Sequence, residues 1–218
     1  MRLRAALGLL ALLTLPACNV VVTKAPLFTA DDEQGAPPMR PGVWAFQDSE
    51  CANDESKPLV QWADCAGGGV VEAGRITGHD TKDGKDKWDV VPFVLAAGRP
   101  RIAQVMFQEA GAGPGGSAAP YGYAAVRPTA FDGQGRITAV TYWLVLCGPP
   151  PKPAKDPRRI ALGTRHPLPG MIMKPGDPVC TTTSRQALLG AARASEAWKD
   201  KPMNAHWVRE AGAGDRAP

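Results

Sequence analysis

The pattern of apolar and polar positions predicts strands over most of the chain between residues 42 and 147. Residues 43–47 form a short run rich in aromatic side chains, and residues 70–77 carry several β-branched side chains after a glycine triplet. Runs of this length and composition, bounded by glycine and proline, are typical of strands. This part of the chain therefore indicates a β-rich domain.

Two hairpins are predicted in the middle of the chain. The first pairs residues 88–95 with residues 101–108, and the second pairs residues 121–131 with residues 136–147. Both connections contain glycine, which tolerates the positive φ angles that tight turns require. The last arm is apolar on both faces towards its end, which is typical of a strand in the middle of a sheet.

One helix is predicted after the strands, over about residues 184–200. Thr183 and Gln186 have the spacing of a capping box, and small and apolar residues recur on one face of the segment. Pro202 ends the helix, and residues 206–209 add a short strand. The expected fold is mainly β (α+β): an antiparallel curved sheet or open barrel with one C-terminal helix packed on it.

The residues before this domain divide into two parts. Residues 1–17 combine two arginines with an apolar run too short to span a bilayer, which is typical of an export signal. Residues 18–41 contain four prolines and an acidic trio without apolar periodicity, which predicts a flexible tether. We expect a single domain over residues 42–210 and a disordered tail over residues 211–218.

Leu15-Pro16-Ala17-Cys18 closes the export signal and resembles the lipobox of bacterial lipoproteins. In that family a lipid is attached to the cysteine, and the signal is cut just before it. The resemblance implies that Cys18 is the lipidation site and the acylated N-terminus of the mature protein. Asn19 and Val20 follow in place of the aspartate that signals inner-membrane retention. The expected location is therefore the cell envelope, on the periplasmic side of the outer membrane.

Four cysteines remain once Cys18 is assigned to the anchor: Cys51, Cys65, Cys147 and Cys180. An even number in an exported domain favours disulfides, and no pair has the short spacing of a zinc site. Three connectivities are possible. We favour Cys51 with Cys65 and Cys147 with Cys180, because each pair flanks a proline- or glycine-rich excursion.

Composition and charge exclude two classes of protein. A hydrophobic content of 44% is too low for a multispan membrane protein, and the formal net charge of +4 falls by two when the signal is removed. The basic residues form no clustered face of the kind that nucleic-acid binding needs. We therefore expect no nucleic-acid partner.

No recognisable catalytic, phosphate-binding or metal-binding motif is present, so we assign no catalytic residue, no cofactor and no metal ligand. The first hypothesis is a lipid-anchored envelope protein that binds or scaffolds, with the membrane and an envelope protein as its partners. An exported enzyme is a further alternative. It would gain support if His79, His166 or His206 lay within hydrogen-bond reach of an acid or a buried serine.

Gly42-Val43-Trp44, at the entrance to the first predicted strand, resembles the Gly-x-Trp signature of lipocalins. The resemblance implies an eight-stranded barrel that carries a small apolar ligand, whereas the chain shows six or seven predicted strands. A lipocalin-like carrier is therefore the alternative function. Its dry cavity would be lined by Trp44, Phe93, Phe107 and Trp143, and a packed interior would argue against it.

Overall fold

The computed structural model describes residues 19–47, 54–63, 66–82, 85–107, 121–150, 164, 166–174, 177–198 and 203–216. Its strands are β1 (Val20–Thr23), β2 (Gly42–Gln47), β3 (Gly67–Glu72), β4 (Arg75–Lys82), β5 (Lys85–Ala96), β6 (Arg101–Met106), β7 (Tyr121–Phe131), β8 (Ile137–Leu144), β9 (Val179–Cys180) and β10 (Met203–Arg209). The α-helix α1 spans Arg185–Ser195, and short 3-10 helices span Ala30–Glu33, Leu59–Gln61 and Glu196–Trp198.

Eight of these strands form a closed antiparallel barrel. The order around the barrel is β2, β3, β4, β5, β6, β7, β8 and β10, and β10 pairs with β2 to complete the circle. Closure leaves these strands no free edge, so their backbone groups are paired on both sides. The expected β-rich class with one C-terminal helix is confirmed, and the barrel is closed rather than open.

A glycine explains why two of the strands were predicted as one. Residues 70–77 contain the end of β3, a tight turn and the start of β4. Gly74 adopts φ +73 in this turn, a left-handed conformation that glycine reaches without the cost a side chain would add. The turn brings Glu72 opposite Arg75, and the two strands pair from there.

The barrel interior is occupied by a single apolar cluster. Its buried members come from seven of the eight barrel strands, which places the cluster inside the barrel: Trp44, Val71, Ile76, Phe93, Leu95, Val126, Ile137, Val140 and Ala205. Ala103 and Val105 of β6 pack against it. Side chains on the alternate positions of the strands face outwards and contact the elements that cover the barrel.

The helix α1 packs on the outside of β7 and β8. Trp143 Nε1 donates a hydrogen bond to the carbonyl oxygen of Ala192 at 2.8 Å, and Leu188 is fully buried in the same cluster. Ser184 Oγ caps the helix by accepting from the backbone N–H of Ala187 at 3.2 Å. The predicted helix is therefore present, with Ser184 rather than Thr183 as its N-cap.

The predicted flexible tether over residues 18–41 is wrong for its described part, because this segment belongs to the barrel domain. Val20, Val21 and Val22 are at most 4% exposed, and β1 pairs with both β7 and β9. Further along, Gln104 Oε1 accepts from the backbone N–H groups of Leu27 and Phe28 at 2.8 and 2.9 Å. The prolines and acidic residues masked the signal of a β-branched run that is buried by distant strands.

The predicted disordered tail over residues 211–218 is also wrong at Asp215, which is 1% exposed. Its carboxylate accepts hydrogen bonds from the backbone N–H groups of Leu59 and Gly212 at 2.8 and 2.9 Å, and it pairs with Arg209. Burial raises the pKa of Asp215, but the hydrogen bonds from Arg209, Gly212 and Leu59 outweigh burial and bring the pKa below its usual value.

The disulfide between Cys147 and Cys180 is present, with the two Cα atoms 5.8 Å apart. This confirms one of the two expected pairs. The other expected pair, Cys51 with Cys65, lies outside the described residues, as does Cys18.

Candidate functional site

A groove of about 830 Å³ lies at the end of the barrel where β5 turns into β6, beside the end of α1. It is lined by residues 35–37, residues 97–100 between β5 and β6, Arg101 of β6, residues 126–128 and Phe131 of β7, and Arg193 and Glu196. We call this surface the arginine groove, because its wall holds Arg99, Arg101, Arg127 and Arg193 against a single carboxylate, that of Glu196. A concave surface with an excess of one charge concentrates ligands of the opposite charge.

Arg101 supplies a buried positive charge in the wall of the groove. It is 5% exposed, and its Nη2 donates to the carbonyl oxygen of Leu95 at 2.7 Å, while Nη1 donates to that of Pro37. Burial lowers the pKa of Arg101, and the carboxylate of Glu33 opposes that change. Among the described residues no carboxylate forms an ion pair with Arg101, so direct contact does not neutralise its charge.

Arg127 and Glu196 form a bidentate pair across the groove, with Nη–Oε distances of 2.5 and 2.6 Å. Hydrogen bonding to Glu196 raises the pKa of Arg127, and the guanidinium also lies 5.3 Å from the centre of the Trp143 ring. This pair fixes the end of the helix to β7 and compensates one of the four positive charges.

Arg99 and Arg193 are the groove arginines best placed to pair with a ligand. Both are exposed, and neither forms an ion pair within the described part of the chain. Arg193 Nε donates to the carbonyl oxygen of Arg99 at 3.2 Å, which holds the two residues side by side. Their terminal nitrogens can therefore donate to a carboxylate or phosphate, the geometry that guanidinium groups recognise well.

The floor of the groove is apolar beside these charges. Phe131 is 52% exposed, an unusual value for a large aromatic residue, and Pro100, Val126 and Pro128 contribute further apolar surface. The lining contains no serine, cysteine, histidine or aspartate. The arrangement is suited to holding an anion that carries an apolar part.

The residues expected to line a carrier cavity do not share one surface. Trp44 and Phe93 belong to the interior cluster, whereas Trp143 faces α1 on the outside of the barrel. Phe107 follows β6 and is half-buried. Trp44 Nε1 donates to the carbonyl oxygen of Arg40 at 2.8 Å, so this indole is fixed as part of the packed interior.

The three histidines lie in separate places. His206 of β10 approaches a carboxylate oxygen of Glu55 to 3.0 Å, and His79 contacts the Trp88 ring at 4.9 Å between centroids. His166 donates its backbone N–H to Thr164 Oγ1. The His206–Glu55 pair meets the distance condition set for an enzyme, but in the described segments no serine or cysteine side chain is hydrogen-bonded to His206.

Sequence reasoning missed the arginine groove. Its arginines come from β6 and the connection before it, from β7 and from α1, which are far apart along the chain, and nothing in the sequence marks these arginines as neighbours. Within the part of the chain that the structure describes, no three histidine, cysteine or acidic side chains are grouped to hold a metal ion, and no helix has the length and apolar character to cross a bilayer.

No protein-family model matches this chain, and no curated protein or solved structure has significant similarity to it.

Proposed function

We propose that this protein is a lipid-anchored binding protein of the bacterial cell envelope, facing the periplasm from the outer membrane, with the arginine groove as its binding surface. The observation that carries the binding role is the pair of exposed, unpaired arginines, Arg99 and Arg193, beside the exposed ring of Phe131. The ligand class that fits is a small anion with an apolar part, such as a carboxylate on an alkyl chain.

The anchor is supported by the lipobox-like Leu15–Cys18 and by cysteine parity, since assigning Cys18 to the anchor leaves four cysteines that can pair. Asn19 is 1% exposed and belongs to the barrel domain, so cleavage before Cys18 would leave every described element intact. Three acyl chains would hold such a protein on a membrane with negligible release, since each buried methylene contributes about 0.8 kcal/mol.

The anchor is tested by separating the membranes of cells that express the wild type or Cys18→Ser. We expect the wild type in the outer-membrane fraction, resistant to a high-salt wash, and a Cys18→Ser chain without acyl groups. A wild type that remains in the soluble fraction would remove the anchor from the proposal.

The groove is tested by titrating the protein with laurate and, as the uncharged control of the same chain length, dodecanol. We expect laurate to bind more tightly, because only the carboxylate can accept from the arginines. Arg99→Ala and Arg193→Ala should each weaken laurate binding about five-fold, whereas Arg216→Ala, an exposed arginine outside the groove, should leave it unchanged. Equal affinities for laurate and dodecanol would refute the ligand class.

A lipocalin-like carrier is the second candidate, favoured by the closed eight-stranded barrel and by Gly42-Val43-Trp44 at the start of its first strand. The apolar cluster that fills the interior speaks against a large internal cavity. An apolar probe that enters the interior would change the fluorescence of Trp44. If the probe causes the same fluorescence change in a Trp44→Phe variant, the change does not come from Trp44, and this candidate is excluded.

A further inference from the structure

We infer that the arginine groove selects a ligand with two negative charges on one group, a phosphate monoester, attached to an apolar chain. The inference rests on the proposed binding function of the groove and specifies the charged end of its ligand. Three observations lead to it: the buried charge of Arg101, the net charge of the groove, and the way Arg99 and Arg193 are held together.

Arg101 is a buried cation in the groove wall that lacks a counter-charge. The residue is 5% exposed, and both of its Nη atoms donate to backbone carbonyls, those of Pro37 and Leu95. Its Nε has no hydrogen-bond partner among the described residues, and none of their carboxylates forms an ion pair with it. Buried charges in proteins are normally paired, because burial without a partner costs free energy. A negative group bound in the groove would supply the missing counter-charge.

The charges around the groove do not cancel. The described lining holds four arginines and one carboxylate, that of Glu196, a net charge of +3. Glu33 lies close to Arg101: its Oε1 accepts from the N–H of Leu95 at 2.6 Å, and the carbonyl of Leu95 binds Arg101. Counting Glu33 leaves a net charge of +2. A carboxylate or sulfate would neutralise only half of this charge, whereas a phosphate monoester would balance it.

Arg99 and Arg193 are placed to bind one anionic group together. Arg193 Nε donates to the carbonyl oxygen of Arg99 at 3.2 Å, so the two exposed side chains start from neighbouring points. A phosphate presents three acceptor oxygens around one centre, and guanidinium groups bind such oxygens in pairs. The two arginines can therefore share one phosphate. A dicarboxylate distributes its two charges over separate groups and fits this arrangement less well.

The apolar chain of the ligand has a surface of its own. The ring of Phe131 is largely exposed in the same lining, with Pro100 and Val126 beside it. The groove volume of about 830 Å³ lies within the range of sites that enclose small molecules. We therefore assign the ligand to a free amphiphile that enters the groove as a whole, and not to a lipid headgroup that stays in a bilayer.

The experiment compares octyl phosphate with octyl sulfate by titration calorimetry. The two ligands share a chain and a tetrahedral anionic group, and at about pH 8 they differ by one negative charge. The mature protein is titrated in phosphatidylcholine nanodiscs, with empty nanodiscs as the blank. A chain without acyl groups would be titrated in buffer. We expect octyl phosphate to bind about ten-fold more tightly than octyl sulfate.

The pH dependence of this preference gives a test that needs no variant. The second pKa of a phosphate monoester is about 6, so at about pH 5 only roughly one tenth of the ligand is a dianion. The preference for octyl phosphate should then shrink to about two-fold. The described lining contains no histidine: its charged groups are four arginines and Glu196, with Glu33 beside Arg101. Octyl sulfate, which is ionised at both pH values, reports any change in the protein itself.

Arg101→Met tests the buried charge. We expect the preference for octyl phosphate over octyl sulfate to fall from about ten-fold to about three-fold, because the second ligand charge loses its compensation. Arg209→Met is the matched control, since Arg209 is a half-buried arginine outside the groove whose Nε also lacks a partner. It should leave the preference unchanged. Melting curves check that both variants are folded, and a purely structural role of Arg101 would leave the preference at ten-fold.

Glu196→Gln changes the groove in the opposite direction. The variant removes the carboxylate from the described lining and releases Arg127 from its bidentate pair. We expect octyl phosphate to bind about three-fold more tightly, because the net positive charge rises by one. The pair is exposed, so its loss should cost little stability. An unchanged or weaker affinity for octyl phosphate would overturn the charge argument.

The outcomes separate this inference from the proposed function. Octyl phosphate and octyl sulfate that bind equally, and both more tightly than octanol, would overturn the preference for a dianion and leave an anion-binding groove. If neither binds more tightly than octanol, the proposed function fails as well. Glycerol 3-phosphate that binds as tightly as octyl phosphate would overturn the role of the apolar chain. Binding to phosphatidate vesicles without binding of octyl phosphate would overturn the assignment to a free ligand.

Discussion

Replacing Asn19 by alanine should destabilise the barrel strongly, because the buried Asn19 side chain is hydrogen-bonded to two distant parts of the chain. The variant leaves the carbonyl of Gly148 and the N–H of Thr164 without their buried partner. Each unsatisfied buried group costs about 1–3 kcal/mol, so the two together cost about 2–6 kcal/mol. Asn19 also has φ +108, where alanine is less tolerated than asparagine, and this adds roughly 1 kcal/mol.

The assay is urea unfolding of the acylated protein in detergent, followed by tryptophan fluorescence. Asn19→Gly is the matched variant, since it loses the same two hydrogen bonds but accepts the positive φ. We expect both variants to lose stability, with the alanine variant less stable than the glycine variant. If the free energy of unfolding of Asn19→Ala lies within about 0.5 kcal/mol of the wild-type value, the Asn19 side chain does not hold Gly148 and Thr164 in the folded protein.

Three further predictions concern single contacts. Asp215→Asn should lower stability at neutral pH. The pKa of Asp215 in the folded protein is below its unfolded value of about 3.9. The difference in unfolding free energy between the variant and the wild type should therefore stay constant above about pH 5 and shrink as the pH falls through the folded pKa. A difference that stays constant down to pH 2 in acid titrations would contradict this. Replacing both Cys147 and Cys180 by serine should lower the free energy of unfolding by about 4 kcal/mol, because the disulfide closes a loop of 33 residues. An unchanged melting temperature would contradict this. Gly68→Ala should lower the free energy of unfolding in urea by about 1–3 kcal/mol, because the added Cβ would clash with the Trp62 ring. Gly133→Ala is the control and should be neutral, because open space surrounds Gly133. Equal effects of the two substitutions would exclude close packing of Gly68 against Trp62.

Local features of the fold were predictable because neighbouring residues specify them. The two central hairpins and the helix follow from turn glycines, alternating side chains and a capping serine or threonine, all within about ten residues of each other. Closure of the barrel was not predictable, because it depends on β10 pairing with β2, which are separated by more than 150 residues. Periodicity in a sequence does not indicate which distant strands meet.

The errors at the two ends of the domain have the same origin. The run Val20–Thr23 is short and is followed by prolines and acidic residues, so its composition resembles that of a linker, and only its pairing with β7 and β9 makes it a strand. Asp215 lies in a polar, glycine-containing terminus and is buried only because Arg209 and the backbone around Leu59 bind it. In both cases tertiary contacts outweigh local preference.

The site was still less accessible from sequence. The arginine groove is assembled from the β5–β6 connection, β7 and the end of α1, and Phe131 differs from other apolar residues only in being left exposed.

The most direct test of the account is the intact mass of the mature protein, combined with a peptide map of its N-terminus. The account predicts a chain that begins at Cys18, carries the mass of a diacylglycerol and an amide-linked acyl chain, and continues directly into Asn19. A mature chain that begins at another residue, or a Cys18 without added mass, would contradict the anchor.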